Sequence, residues 1–197
     1  GGDGTLNEVV NGVVGFDKVA ITHYPSGSGN DFIKIFDDPN ELRDELRKKN
    51  QINNKARMVA GYCYDWDVKN HRGEYDIYLE NGFKAKWNLE NDKIWAINPS
   101  SFEEVGCIHT AQGLEFDYVG VLIGLDLRYD EVNNEIIIDK SKISKDDKTS
   151  GIKSCGEGLA RQLIKNTYKT LLTRGQKGCY IYCEDKALSR YIKKMIK

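Results

Sequence analysis

The run Tyr118-Val119-Gly120-Val121-Leu122-Ile123-Gly124 is apolar almost without interruption. A strand with one face in water alternates apolar and polar residues. An unbroken run of this kind belongs in a sheet covered on both faces, the habit of parallel sheets. Residues 58–62 and 179–183 read as further buried strands, and 105–110 as a strand leading into a loop at 111–117. Helices are expected at 40–49, with Pro39 in the first turn, and at 186–196. Another is marked by Leu159, Leu163, Ile164, Tyr168, Leu171 and Leu172 along one face. Strands alternating with helices predict an α/β fold with a mainly parallel sheet. Residues 65–101 interrupt this rhythm. They are rich in Tyr and Trp, alternate in polarity and carry the hairpin cue Asn81-Gly82. They read as a β-rich insertion on which Trp66, Trp87 and Trp95 pack rather than stack on bases. Residues 139–155, rich in Lys, Asp and Ser, read as a mobile loop.

The bulk numbers exclude several function classes. A net charge of −1 over 197 residues argues against a general basic coat, though a local basic groove remains compatible with it. No apolar run approaches the ~20 residues that span a bilayer, and no signal peptide opens the chain, so a cytoplasmic protein is expected. The chain opens on Gly1 without Met, and its true beginning is expected upstream. Its five cysteines include no C-x-x-C pair. Cys179 and Cys183 would lie ~13 Å apart along a strand, too far for a disulfide. Small buried residues in a reducing compartment are the plain reading, and no metal set is visible.

The first 35 residues read differently from the rest. Two glycine-rich loops, Gly1-Gly2-Asp3-Gly4-Thr5 and Pro25-Ser26-Gly27-Ser28-Gly29-Asn30-Asp31, flank a helical spacing of Leu6, Val9, Val10 and Val13 and a short strand at 19–22. Glycine lets backbone approach an anion closely, and helix N-termini expose unpaired N–H groups. These motifs closely resemble the diacylglycerol kinase catalytic domain. The resemblance implies that Gly2, Asp3, Gly4 and Thr5 contact ATP phosphates. It covers only 1–35, without the strands and second domain such a kinase needs, so lipid kinase activity is not expected. The join at 32–37 has no Pro/Gly/Ser linker, and the two segments read as pieces of unrelated families brought together.

From 36 to 197 the motifs are His109-Thr110-Ala111-Gln112-Gly113-Leu114-Glu115-Phe116-Asp117 and Asn166-Thr167-Tyr168-Lys169-Thr170-Leu171-Leu172-Thr173-Arg174-Gly175-Gln176-Lys177-Gly178. In order and separation they are similar to motifs V and VI of superfamily 1 helicases. With Arg57-Met58-Val59-Ala60-Gly61-Tyr62-Cys63, Trp95-Ala96-Ile97 and Gly178-Cys179-Tyr180-Ile181-Tyr182, the stretch resembles the C-terminal half of the Schlafen group 3-type DNA/RNA helicase domain. The resemblance implies a RecA-like second motor core within the P-loop NTPase class. It makes Arg174 the arginine finger that reaches the γ-phosphate of ATP. Gly113 and Glu115 would approach the nucleotide, the carboxylate at the ribose. His109, Thr110 and Gln112 would couple that site to the bound strand, Thr110 donating to a phosphate. Gln112 stands where many superfamily 1 members carry Lys. Each residue also has a plainer reading: Arg174 as a cap on its helix, His109 as a core histidine, Glu115 and Asp117 as solvated carboxylates.

No G-x-x-x-x-G-K-[S/T] loop occurs in the 197 residues, and no acidic strand end for Mg²⁺ is visible. The expectation is therefore the C-terminal motor half of an ATP-dependent helicase or translocase acting on single-stranded DNA or RNA. It would need a separate N-terminal motor half for ATP and Mg²⁺, and would be inactive alone. Two alternatives stand beside it: a lipid kinase remnant that binds ATP through residues 1–5, and a non-catalytic nucleic-acid-binding module.

Overall fold

The computed structural model describes residues 32–89, 95–111, 115–148 and 150–196. Strand β1 (Ile33–Phe36) leads into helix α1 (Pro39–Asn53) and strand β2 (Ala56–Ala60). Short strands β3 (Ile77–Tyr78), β4 (Lys84–Trp87) and β5 (Glu104–Val105) follow. Then come β6 (Phe116–Ile123), the hairpin of β7 (Leu127–Asp130) and β8 (Glu135–Ile138), helix α2 (Glu157–Leu172), β9 (Gly175–Cys183) and helix α3 (Lys186–Met195).

The main sheet has the order β1-β9-β6-β2, and every pairing in it is parallel. This is the α/β arrangement expected from the apolar run at 118–124, consistent with a RecA-like core. All of β2 and nearly all of β6 are buried. Strand β1 runs through the stretch 32–37 where a join was expected and pairs along Cys179–Tyr182 of β9. Residues 1–31, with both glycine-rich loops, lie outside the described residues.

Helix α1 starts where the sequence places it: the Asp38 carboxylate accepts the Asn40 N–H at 2.8 Å, and Pro39 fills the first turn. It ends on Asn54, whose φ of 57° places it in the left-handed region. Its buried Leu42 and Leu46 lie on the sheet. Helix α2 departs from the expected face. Ala160, Ile164, Thr167, Tyr168 and Leu171 are buried, whereas Leu159 is 52% exposed. The leucine spacing alone placed the stripe about one position off, because Thr167 and Ala160 complete it.

Three other expectations are corrected or refined. The strand expected at 105–110 stops at Gly106, which bridges in parallel to Val59. Beyond it the Thr110 hydroxyl accepts the Cys107 N–H at 2.8 Å and closes a turn. The loop at 139–155 is pinned rather than loose: Ile143 and Ile152 are buried, Ser144 donates its N–H to Tyr62 O at 2.8 Å, and its hydroxyl donates to Asp65 at 2.7 Å. Its many Lys, Asp and Ser residues mask these two apolar anchors. The insertion does form a hairpin, β3 against β4, turned by Asn81 (φ 54°) and Gly82 (φ 69°). Trp87 and Trp95 are fully buried, and Trp66 lies 4.5 Å from Trp87 between ring centroids. The tryptophans are packing, as expected. All five cysteines are free, and burial pushes the Cys179 and Cys183 thiols up to about 12.

Two buried polar contacts lock the layers together. Arg57 on β2 is fully buried and makes no ion pair among the described residues. Its Nε donates to Ser101 Oγ at 3.0 Å. One Nη donates to Asn50 Oδ1 and Ala56 O, both at 2.8 Å, and the other to Asn54 Oδ1 at 2.9 Å and Asn98 O at 3.0 Å. Burial pulls the guanidinium down to about 10, so it stays charged at neutral pH. The second contact joins α2 to the far end of β6. Tyr168 donates its hydroxyl to the buried Asp126 at 2.6 Å and accepts the Gly124 N–H at 3.2 Å. A Cβ at Gly61 would sit 2.8 Å from that hydroxyl, so the tyrosine reaches Asp126 because residue 61 has no side chain. Burial raises the Asp126 carboxyl to about 6, against a donor bond from Tyr168 that lowers it.

Substituting Arg57 by Met removes the charge but strands acceptors on Asn50, Asn54, Asn98 and Ser101. A loss of ~3 kcal/mol or more is expected, seen as a lower urea midpoint at unchanged slope. Lys at 57 keeps the charge but lacks the planar fork, and should be nearly as damaging. For Asp126 the sign follows from proton binding. Between the ordinary 3.8 and about 6 the folded chain holds a proton that the unfolded chain has lost. This group's contribution is therefore most favourable below pH ~4 and declines as pH rises to ~6. Asp126→Asn keeps an acceptor for Tyr168 and does not titrate. Its stability relative to the parent should be level at pH ~4 and climb to a plateau of order 1–3 kcal/mol above pH ~6. Thermal unfolding of both proteins across that range checks it.

Candidate functional site

With all main strands parallel, the sheet has one amino-terminal edge and one carboxyl-terminal edge, and the candidate residues divide between them. Phe116 opens β6 and donates its N–H to Arg174 O at 3.0 Å, opposite Gly175 at the start of β9. Glu115 and Arg174 are thereby brought to the same amino edge, although they are 59 positions apart in the chain. Open α/β sheets ordinarily place ligands beyond the carboxyl ends of their strands. Arg174 and Glu115 are at the opposite edge.

The register of β6 against β9 explains what surrounds them. Phe116 pairs with Gly175 and Tyr118 with Gly178, so β9 carries one extra residue here, a bulge. In a regular strand consecutive side chains point to opposite faces. The bulge instead leaves both Gln176 and Lys177 exposed. Gln176 donates its amide to the Glu115 carboxylate. Lys177 donates to the Asp117 carboxylate at 2.7 Å, where Asn53 also donates at 2.7 Å. Those bonds, Lys177 foremost, hold the Asp117 carboxyl below its ordinary range. Gly175 is required by the same geometry, since a Cβ there would collide with the Gly178 carbonyl. Asp117 is thus a buried, paired carboxylate and not the solvated one considered from sequence, whereas Glu115 is exposed.

Arg174 is half-buried. Its Nε donates to Thr170 O at 3.1 Å, the cap that a residue after a helix supplies, and its own N–H reaches Leu171 O at 3.2 Å. Among the described residues its two Nη nitrogens make no further hydrogen bond or ion pair. The cap therefore aims the guanidinium without consuming its fork.

His109 and Thr110 follow the bridge of Gly106 to Val59, toward the carboxyl end of β2 and about 10 Å along it from Ala56. His109 is exposed with its ring 5.9 Å from Tyr62, so it is not a core histidine. The Thr110 hydroxyl donates to Cys107 O at 3.0 Å, which engages the donor assigned to a phosphate. Gln112 and Gly113, like Gly2, Asp3, Gly4 and Thr5, lie outside the described residues.

Sequence reading missed the carboxyl edge. A cleft of about 550 Å³ opens there, with Cys63 and Tyr64 after β2, Leu125 after β6, Glu184 after β9 and Tyr78 of the hairpin in its wall. Tyr64 donates to Glu184 at 2.7 Å, and burial raises that carboxyl above its ordinary range. Asp65, Asp67 and Asp146 approach one another near its mouth, but Lys145 pairs with Asp65 and Arg72 with the other two. Among the described residues no helix is long and apolar enough to cross a membrane.

Comparison with known proteins gives these positions a family. The family described as Schlafen group 3, DNA/RNA helicase domain, matches residues 5–185. That match begins inside the kinase-like segment and runs through both helicase-like motifs. An uncharacterized protein of Saccharomyces cerevisiae is 26% identical over 164 residues, covering 79% of this chain and 35% of the relative. The chain thus spans about a third of that relative's length. No solved structure matches. A parallel α/β core carrying both motifs, matched over well more than half its length, belongs to the Schlafen group 3 DNA/RNA helicase domain family.

Proposed function

We propose that this chain acts as the second motor half of an ATP-dependent helicase or translocase, presenting Arg174 to ATP held by a separate N-terminal half. One observation carries the reading: the β6–β9 pairing sets Glu115 and Arg174 on one edge, with both Nη nitrogens of Arg174 unengaged among the described residues. Phosphoryl transfer spreads negative charge over three equatorial oxygens, and a rigid planar cation stabilises that charge where it develops. The helix cap at Thr170 fixes the root of the side chain, so little order has to be created when the phosphate arrives. Glu115 is exposed and its partner among the described residues is a neutral amide, so a ribose hydroxyl can exchange with Gln176 at little cost. The P-loop and the Mg²⁺ ligands are assigned to the other half, since these 197 residues contain no G-x-x-x-x-G-K-[S/T].

On this reading His109, Thr110 and Gln112 serve the single strand of DNA or RNA. Occupancy at the amino edge reaches His109 and Thr110 along β2, whose carboxyl end they follow.

The chain alone should turn over no ATP. Added to a P-loop half from a member of the same family, it should raise ATP hydrolysis, and Arg174→Ala should remove ~10³-fold or more of that increase. Circular dichroism on the variant separates this from a lost cap. Equal stimulation by a folded Arg174→Ala protein would end the arginine-finger assignment.

A further inference from the structure

The outward face of the β3–β4 hairpin has a composition that the packing of the domain does not use. Ile77, Ala85 and Trp87 point inward, which leaves Tyr78, Lys84 and Lys86 outside, with Tyr78 paired in register to Lys84. Tyr78 is 56% exposed. Its ring meets Tyr75 edge to face, centroids 6.2 Å apart at 84°. The Lys84 ammonium lies 5.8 Å from the Tyr75 centroid and 6.0 Å from that of Tyr78. Two aromatic rings and a cation therefore share one exposed patch.

The charges around this patch do not cancel as the sequence suggests. Asp76 is buried and accepts the Val68 and Trp87 N–H groups, both at 2.8 Å. Asp67 pairs with Arg72, and Glu80 with Lys186. Glu74 remains as the exposed acid of the hairpin without an ion pair among the described residues. Against it stand Lys69, Lys84 and Lys86, also without ion pairs. Tyr78 is in addition part of the wall of the carboxyl-edge cleft, whose lining includes Lys142. That lining also holds Lys145 and Lys153 beside Asp65, Asp67, Asp76 and Glu184, so the excess of basic groups is confined to the hairpin face.

We infer that this face is a stacking platform for single-stranded nucleic acid: a base lies on Tyr78, Tyr75 supports it from the side, and Lys84 and Lys86 meet the phosphates. A flat exposed ring beside uncancelled ammonium groups is complementary to alternating bases and phosphates. An acidic peptide would use the lysines but leave the rings idle. The inference rests on the nucleic-acid part of the proposed function and is independent of Arg174.

The test is fluorescence anisotropy of the whole chain with a labelled oligo-dT or oligo-U of about 20 nucleotides, between ~50 and ~200 mM salt. Tyr78→Ala should weaken binding about tenfold or more, and Tyr78→Phe should retain it, because stacking needs the ring and not the hydroxyl. Lys84→Gln should reduce the salt slope by about 0.7, the loss of one phosphate contact on a single strand. Both positions are exposed, so unchanged melting temperatures are expected. Binding that ignores Tyr78→Ala, a Tyr78→Phe variant as weak as Ala, displacement by polyglutamate as effective as by oligonucleotide, or no binding at all would each overturn the platform. Arg174→Ala should leave this binding unaltered. Intact Tyr78-dependent binding without ATPase stimulation would defeat the motor-half reading and keep the platform; stimulation with Tyr78-independent binding would do the reverse.

Discussion

A positive charge sits in the core of this domain, answered among the described residues by neutral oxygens and not by a carboxylate. Arg57 is held by carbonyl and amide oxygens from the end of α1, the start of β2 and the segment before β5. Removing a guanidinium from water is costly, and only a complete set of acceptors makes it tolerable. Completing that set forces three stretches of chain into one place. Asn50 and Asn54 must bring the helix end over the strand, and Asn98 and Ser101 must fold back beneath it. The strand from Glu104 to Gly106 is then led alongside β2, where Val59 receives it. The insertion and the main sheet become one body because of this cation.

Around that fixed point the parallel sheet separates two kinds of chemistry. The amino edge collects Glu115, Asp117, Arg174, Gln176 and Lys177, a mixed and mostly paired set in which, among the described residues, the Arg174 fork is left unengaged. The carboxyl edge collects carboxyls that burial keeps harder to ionise, Asp126 and Glu184, each receiving a tyrosine hydroxyl. Helix α2 spans the distance, bearing Tyr168 at one contact and handing the chain to Arg174 at the other. The Tyr168–Asp126 bond thus fixes the helix whose last turn aims the arginine.

Much of this was legible in the sequence for simple reasons. The apolar run at 118–124 has no other economical home than a sheet covered on both faces, and Pro39, Asn81-Gly82 and the leucines of α1 act through local geometry. That Glu115 and Arg174 belong to one site was suggested by family resemblance alone, since nothing local connects positions so far apart. What could not be read depends on long-range partners. Asp117 looked solvated because Lys177 and Asn53 are distant in sequence. Leu159 looked buried because spacing says nothing about what a helix face meets. Asp126 and Glu184 carried no motif, Tyr168 was read only as one residue of a motif and a helix face, and only the approach of α2 to Gly61 makes the three a cluster. Arg57 lay inside a quoted stretch, yet its role depends on four side chains and carbonyls that the strand's own residues do not announce.

The bulge in β9 has a consequence for how such a site changes in evolution. From Gly178 onward β9 is in continuous register with β6, so the misfit is confined to two positions. Deleting one residue there would restore plain alternation and withdraw one of the two partners, Gln176 or Lys177, from the edge, while every pairing downstream stays where it is. Chain length at a single point, rather than the identity of any core residue, sets how many polar groups face the edge. Lineages can therefore gain or lose a contact at this edge by insertion or deletion without renegotiating the sheet.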